Sequence, residues 1–179
     1  DNGIHFTPVI SDYGIAYFGD LESSVYAIDI STGEIIWQND ELTYSVESRP
    51  AIIGNQLIIN CWDGNVHSFH TGTGEKLWTS PGPRNQARSV PSRYYGPADT
   101  VPFVWNDEIY VVDRGYTLGK YDLQGNYLTE LQSGVAAARV CSTGDKIICR
   151  MTEEPARAID FEGQVVWAAD VILGRNPIE

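Results

Sequence analysis

Short apolar runs alternate with Gly, Asn and Asp punctuation along the whole chain. Val9-Ile10 and Ile15-Ala16-Tyr17-Phe18 flank a turn ending at Gly14. Ala51-Ile52-Ile53 and Leu57-Ile58-Ile59 flank Gly54-Asn55, and Phe103-Val104-Trp105 and Ile109-Tyr110-Val111-Val112 flank Asn106-Asp107. Ala138 to Cys141 and Ile147-Ile148-Cys149 flank Ser142 to Asp145. Runs this short, rich in β-branched and aromatic residues and bounded by turn formers, are strand signals. Gly-Asn and Asn-Asp tolerate the positive φ that a tight hairpin demands. No stretch carries the periodicity of an amphipathic helix.

The pattern also repeats. Residues 27–37 read AIDISTGEIIW and residues 68–78 read SFHTGTGEKLW, with Gly33 and Gly74 41 positions apart and Trp37 and Trp78 likewise. Residues 158–167 read AIDFEGQVVW, one residue shorter, and residues 120–129 read KYDLQGNYLT, without the Trp. Each unit reads strand, turn, strand, turn, strand, Gly turn, strand. Four short strands in about 40 to 50 residues is the pattern of a propeller blade. The predicted fold is all-β: a β-propeller of four-stranded antiparallel blades, about four of them, within a single segment 1–179. The blades fall near 3–40, 44–80, 100–131 and 134–170, with an insertion at 81–99. In the repeated phrase, Asp29, Asp122 and Asp160 are placed to accept backbone N–H groups two residues on, and Gly33, Gly74, Gly125 and Gly163 to take left-handed positions. His70 stands where the other copies have Asp and is expected to do the same bonding. Trp37, Trp78 and Trp167 fall on the outermost strand, where a large ring can cover the seam between blades while its N–H finds a partner. All three are expected to be largely buried.

AIDISTGEIIW resembles the tryptophan-docking phrase A-x-D-x-x-x-G-x-x-x-W of pyrroloquinoline-quinone-type (PQQ-like) propellers, through Ala27, Asp29, Gly33 and Trp37. The other copies keep parts of it, so the resemblance covers nearly the whole chain. It implies a ring of seven or eight blades, of which this chain supplies about half. Gly174-Arg175-Asn176-Pro177-Ile178 reads as the lead into another blade. The ring would be completed by further blades or by a second copy as a homodimer; a closed four-bladed propeller, unusual for this family, is the alternative. The family includes quinoprotein alcohol dehydrogenases, a lipoprotein scaffold of outer-membrane protein assembly, and sensor propellers fused to kinases or metallophosphoesterases. Most members work outside the cytoplasm, which implies a periplasmic, cell-surface or secreted setting. A quinone site in the dehydrogenases uses adjacent cysteines and a calcium ion. Cys61, Cys141 and Cys149 are far apart, so neither PQQ nor calcium is expected, nor is catalysis. The resemblance points to a non-catalytic module that binds a protein or small ligand or serves as a scaffold, in a larger protein. A dehydrogenase fragment is the alternative.

Charge narrows the partners. A formal net charge of −12 works against nucleic acid, because phosphate binding relies on a basic surface that releases counterions. No run approaches the ~18 apolar residues of a membrane span. The cysteines match no zinc or C-x-x-C spacing and read as buried thiols. His67 and His70 lie on one strand at odd spacing and face opposite sides, so no metal site is expected from them. The turns at Asp20-Leu21-Glu22-Ser23 and Asp63-Gly64-Asn65 lack the ligand density of a calcium loop.

Two binding candidates stand out. The insertion gathers Arg84, Arg88 and Arg93 with Tyr94 and Tyr95 in an otherwise acidic chain, and Arg and Tyr carry interface energy. Long insertions between blades sit on the faces of the ring. The alternative is a solvated loop whose arginines answer nearby carboxylates. The second candidate is the set of positions before the innermost strands: His5, Glu47, Arg49 and Asp99. These are expected near one mouth of the central channel.

Overall fold

The computed structural model describes residues 3, 4 and 6–170. Four four-stranded antiparallel sheets follow one another along the chain. The first is β1 (Val9–Ile10), β2 (Ile15–Gly19), β3 (Val25–Asp29) and β4 (Ile35–Asn39). The second is β5 (Ala51–Ile53), β6 (Gln56–Asn60), β7 (Asn65–His70) and β8 (Lys76–Pro81). The third is β9 (Phe103–Trp105), β10 (Glu108–Val112), β11 (Thr117–Tyr121) and β12 (Tyr127–Ser133). The fourth is β13 (Val135–Val140), β14 (Ile147–Met151), β15 (Arg157–Ile159) and β16 (Val165–Ala168). In every sheet the strands pair in sequence order, as in propeller blades. Among the described residues the only helical elements are two single 3-10 turns, Pro83–Asn85 and Arg93–Tyr95, both in the insertion.

The turn chemistry follows the sequence. Asn106 and Asp107 take φ of 48° and 59°, and Trp105 pairs with Glu108 across them. Asp29 Oδ1 accepts the N–H groups of Ser31 and Thr32, Asp122 Oδ1 those of Gln124 and Asn126, and Asp160 Oδ1 those of Glu162 and Gln164. His70 Nδ1 takes the same role, accepting from Gly72 and Thr73 at 3.2 Å each.

The core lies in the seams between sheets. Side chains of a strand alternate between its two faces, and an interior blade is covered on both. Leu57 and Ile59 of β6 therefore pack with Tyr17 and Trp37 of blade 1, while Ile58 packs with Ile109 and Val111 of blade 3. Tyr110 and Val112 of β10 turn the other way, onto Ile147 and Ile159 of blade 4. This is why residues 57–59 of β6 and 109–112 of β10 are apolar without interruption. The last blade differs: Ile147 and Cys149 face blade 3, whereas Arg139 and Arg150 lie on the opposite face and are exposed.

Tryptophans fasten two of the seams. Trp37 Nε1 donates to the Thr71 carbonyl at 2.8 Å, and its ring covers Gly74, where a Cβ would lie 2.6 Å from Cδ2. Trp78 repeats this one blade on, donating to the Leu123 carbonyl at 3.0 Å and covering Gly125. Blade 3 has no Trp at this place, and the Leu131 backbone closes over Gly163 instead. Trp167 departs from expectation. It is 44% exposed, because no described blade stands beyond β16 to receive it. Correspondingly, Gly33 holds φ of +77° with nothing within 4 Å of a built Cβ. Among the described residues, Trp167 thus projects without a glycine beneath it, and Gly33 lies without a ring above it. Residues 174–178, read as the lead into a further blade, lie outside the described residues.

The thiols also differ in part from expectation. Cys61 and Cys149 are buried, but Cys141 is half-exposed and bonds with Thr143 and Asp145; all three are free.

Candidate functional site: an arginine-rich cleft beside blades 3 and 4

The insertion is built rather than loose. Asn85 is fully buried. Its Nδ2 donates to the carbonyls of Gly64 (2.9 Å) and Ser92 (3.0 Å), and its Oδ1 accepts the Ser92 N–H (3.0 Å). Gly96 lies so close to Gly64 that a Cβ would fall 2.5 Å from the Gly64 Cα. The segment is therefore clamped over the β6–β7 turn, and the Arg114 N–H reaches the Gly96 carbonyl to tie it to blade 3.

Between this clamp, the β10–β11 turn and β13 lies an open cleft of about 1070 Å³. Arg84, Arg114, Arg139 and Arg150 line it, with Asp99 and Asp113 as its only carboxylates. The chain has nine arginines against 24 acidic residues, so four arginines facing two aspartates make this a cationic site on an acidic molecule. Arg114 is held over the Trp62 ring at 4.7 Å and lies 3.7 Å from Asp99. The side chains of Arg139 and Arg150 have neither hydrogen bond nor ion pair among the described residues.

Asp113 sits at the buried floor of the cleft. It accepts the backbone N–H groups of Arg84 and Thr117. Burial nonetheless pushes its carboxyl up to about 6, because removing the carboxylate from water outweighs those bonds.

The predicted residues divide. Arg84, Tyr94, Tyr95 and Asp99 line the cleft, so it draws on both candidates. Arg88 and Arg93 do not. They stack on the rings of Tyr95 (5.0 Å) and Tyr44 (4.0 Å), answering aromatic faces rather than carboxylates. Glu47 and Arg49 lie away from the cleft; Ser45 Oγ approaches Glu47 at 3.4 Å. His5 lies outside the described residues. Sequence reasoning missed Arg114, Arg139, Arg150 and Asp113. The signal available for two of them was the register of one hairpin, in which Arg139 and Arg150 share a face.

The adjacent cysteines that the family resemblance attaches to a quinone site do not occur in this sequence, whose three cysteines are separate free thiols.

The sixteen strands and their docking tryptophans define an arc of PQQ-type propeller blades. The chain belongs to the PQQ-like repeat family: a family model described as "Outer membrane protein assembly factor BamB" matches residues 2–101. It is 31% identical over 86 residues to a quinohemoprotein alcohol dehydrogenase of Comamonas testosteroni, covering 42% of this chain and 12% of that protein. It is likewise 31% identical over 64 residues to the outer membrane protein assembly factor BamB of Legionella pneumophila (strain Paris), covering 36% of this chain and 17% of that one. The chain thus matches only a small part of these relatives' length. The crystal structure of BamB from Moraxella catarrhalis superimposes with a TM-score of 0.63 at 18% identity, over 90% of this chain and 46% of that one.

Proposed function

We propose that the chain is part of a non-catalytic propeller that binds a protein partner, as a scaffold does, and that the cleft receives a carboxylate-rich segment of that partner. The observation that carries this is the pair Arg139 and Arg150, cationic and, among the described residues, without side-chain partners beside a clamped loop. Guanidinium groups hold carboxylates through paired N–H donors. A partner role also agrees with the family's named assembly factor. An extracytoplasmic setting is supported by the outer-membrane role that the assembly factor's name gives it. The ring is completed by further blades or by a second copy. A fusion to a kinase or metallophosphoesterase draws no support from these relatives.

The test is fluorescence anisotropy with an Asp/Glu-rich peptide at several salt concentrations. Binding should weaken with salt and fall at least tenfold in the Arg139→Ala/Arg150→Ala variant, with unfolding stability unchanged within about 0.5 kcal/mol. Equal binding by the variant would remove the cleft as the site.

The dehydrogenase match favours a second reading, in which the chain is part of a quinoprotein enzyme. Dye reduction with alcohols by the full-length protein, given PQQ and calcium, would support it, and no turnover would reject it.

A further inference from the structure

The repeats provide an internal control for one turn. Asp20 in blade 1, Cys61 in blade 2 and Asp113 in blade 3 occupy the same place, each donating its N–H to the carbonyl four residues on. In blades 1 and 3 that first Asp also caps the turn: Ser24 N–H bonds Asp20 Oδ1 at 2.8 Å, and Thr117 N–H bonds Asp113 Oδ1 at 3.1 Å. Blade 2 moves the cap two residues along, to Asp63, which takes the Asn65 N–H at 2.9 Å. The first position is thereby released from turn chemistry, and a cysteine fills it. Six residues on, where blade 1 has Tyr26 and blade 3 has Gly119, blade 2 has His67.

These departures converge. The Sγ of Cys61, a carboxylate oxygen of Asp63 and a ring nitrogen of His67 all lie within 4.8 Å of one another. Cys61 is fully buried and His67 is 3% exposed. The imidazole is fixed at both nitrogens: Nδ1 lies 3.0 Å from Thr79 Oγ1 and Nε2 lies 2.9 Å from Asp63 Oδ2. Without metal, a proton on Nε2 bridges it to Asp63. With the proton on Nδ1 instead, donated to Thr79, the Nε2 lone pair is free to ligate a cation that takes the bridging proton's place.

We propose that Cys61, Asp63 and His67 form a zinc site. One thiolate, one imidazole and one carboxylate suit a borderline metal such as Zn²⁺ and not the oxygen-seeking Ca²⁺ or Mg²⁺. Three protein ligands leave a fourth tetrahedral position for water. Bonds of about 2.0–2.3 Å set donor atoms roughly 3.3–3.8 Å apart, so the donors, now within 4.8 Å of one another, draw in by up to about 1 Å on loading, while Nε2 and Asp63 Oδ2, now 2.9 Å apart, spread slightly. Zn²⁺ displaces the thiol proton, which leaves to solvent. Thr79 acts as a positioning residue that holds the histidine tautomer. The site would also brace the cleft, because the Gly64 carbonyl within this turn accepts the N–H of Gly82 and the side chain of Asn85. The proposal does not depend on the binding role of the cleft.

The experiment uses the purified chain, freed of metal with a chelator and titrated with Co²⁺ as a spectroscopic probe. A thiolate-to-cobalt charge-transfer band should grow to one equivalent and disappear when Zn²⁺ is added. Cys61→Ser should lose the band, Cys141→Ser should keep it, and Thr79→Val should weaken metal affinity about 10- to 100-fold. Zn²⁺ should also raise the melting temperature of the unaltered chain, a readout that needs no variant. Absence of the band, or a band that survives Cys61→Ser, overturns the site. So does a melting temperature indifferent to Zn²⁺.

Discussion

The indole of Trp37 lies flat over Gly74 of the following blade, so close that a Cβ on that glycine would sit 2.6 Å from the ring. Gly74 also holds φ of +72°. Gly33 has the same φ sign, the same place in its own blade and no ring above it. Gly74→Ala therefore suffers both left-handed strain and overpacking and should cost about 3 kcal/mol. Gly33→Ala suffers only the strain, about 1 kcal/mol. Urea unfolding of the two variants measures the difference directly.

The tryptophans divide in the same way. Trp37→Ala removes a ring that is 8% exposed and should cost about 3–5 kcal/mol. Trp167→Ala removes one that is 44% exposed and should cost less than ~1 kcal/mol. Equal costs would mean that Trp167 is covered in solution.

Asp113 gives the fold a pH dependence. Its folded carboxyl titrates near 6, while an unfolded Asp titrates at about 3.9. The folded chain keeps this proton where the unfolded chain has lost it. Its contribution is fully present below about pH 4 and is lost as pH rises through about 6, on the order of 2–3 kcal/mol. Asp113→Asn mimics the protonated form and should flatten that part of the stability profile, as read by unfolding between pH 4 and 7.

Asn85 is the rivet of the insertion. Asn85→Ala removes three hydrogen bonds and leaves the buried Ser92 N–H without its acceptor, while the Gly64 and Ser92 carbonyls keep only the N–H groups of Gly82 and Tyr95. The cost should be about 2–3 kcal/mol, expressed locally. Limited proteolysis should cut within 82–99 in the variant and spare the four sheets.

What the sequence discloses is what neighbours along the chain decide. Asp29, His70 and Gly33 act on atoms two to four positions away, so their roles follow from the phrase that contains them. Strand identity is equally local, and the uninterrupted apolar runs of β6 and β10 already signal cover on both faces. The cleft is different. Arg84, Arg114, Arg139 and Arg150 come from an insertion, a turn and a hairpin, and only the packing of blades 3 and 4 brings them to one side. Nor does the insertion's composition reveal the buried Asn85 clamp. Trp167 carries the same local phrase as Trp37, yet its burial depends on what stands next to it.

The Trp-over-Gly seam has a direction, since ring and seat lie on different blades. Ring and seat are unlike and complementary, so each seam is a heterologous interface rather than an isologous one. Units joined through such seams close into a circle only when their successive rotations sum to a full turn. The seam can therefore be repeated without limit, and the rotation from one blade to the next decides how many blades a ring holds.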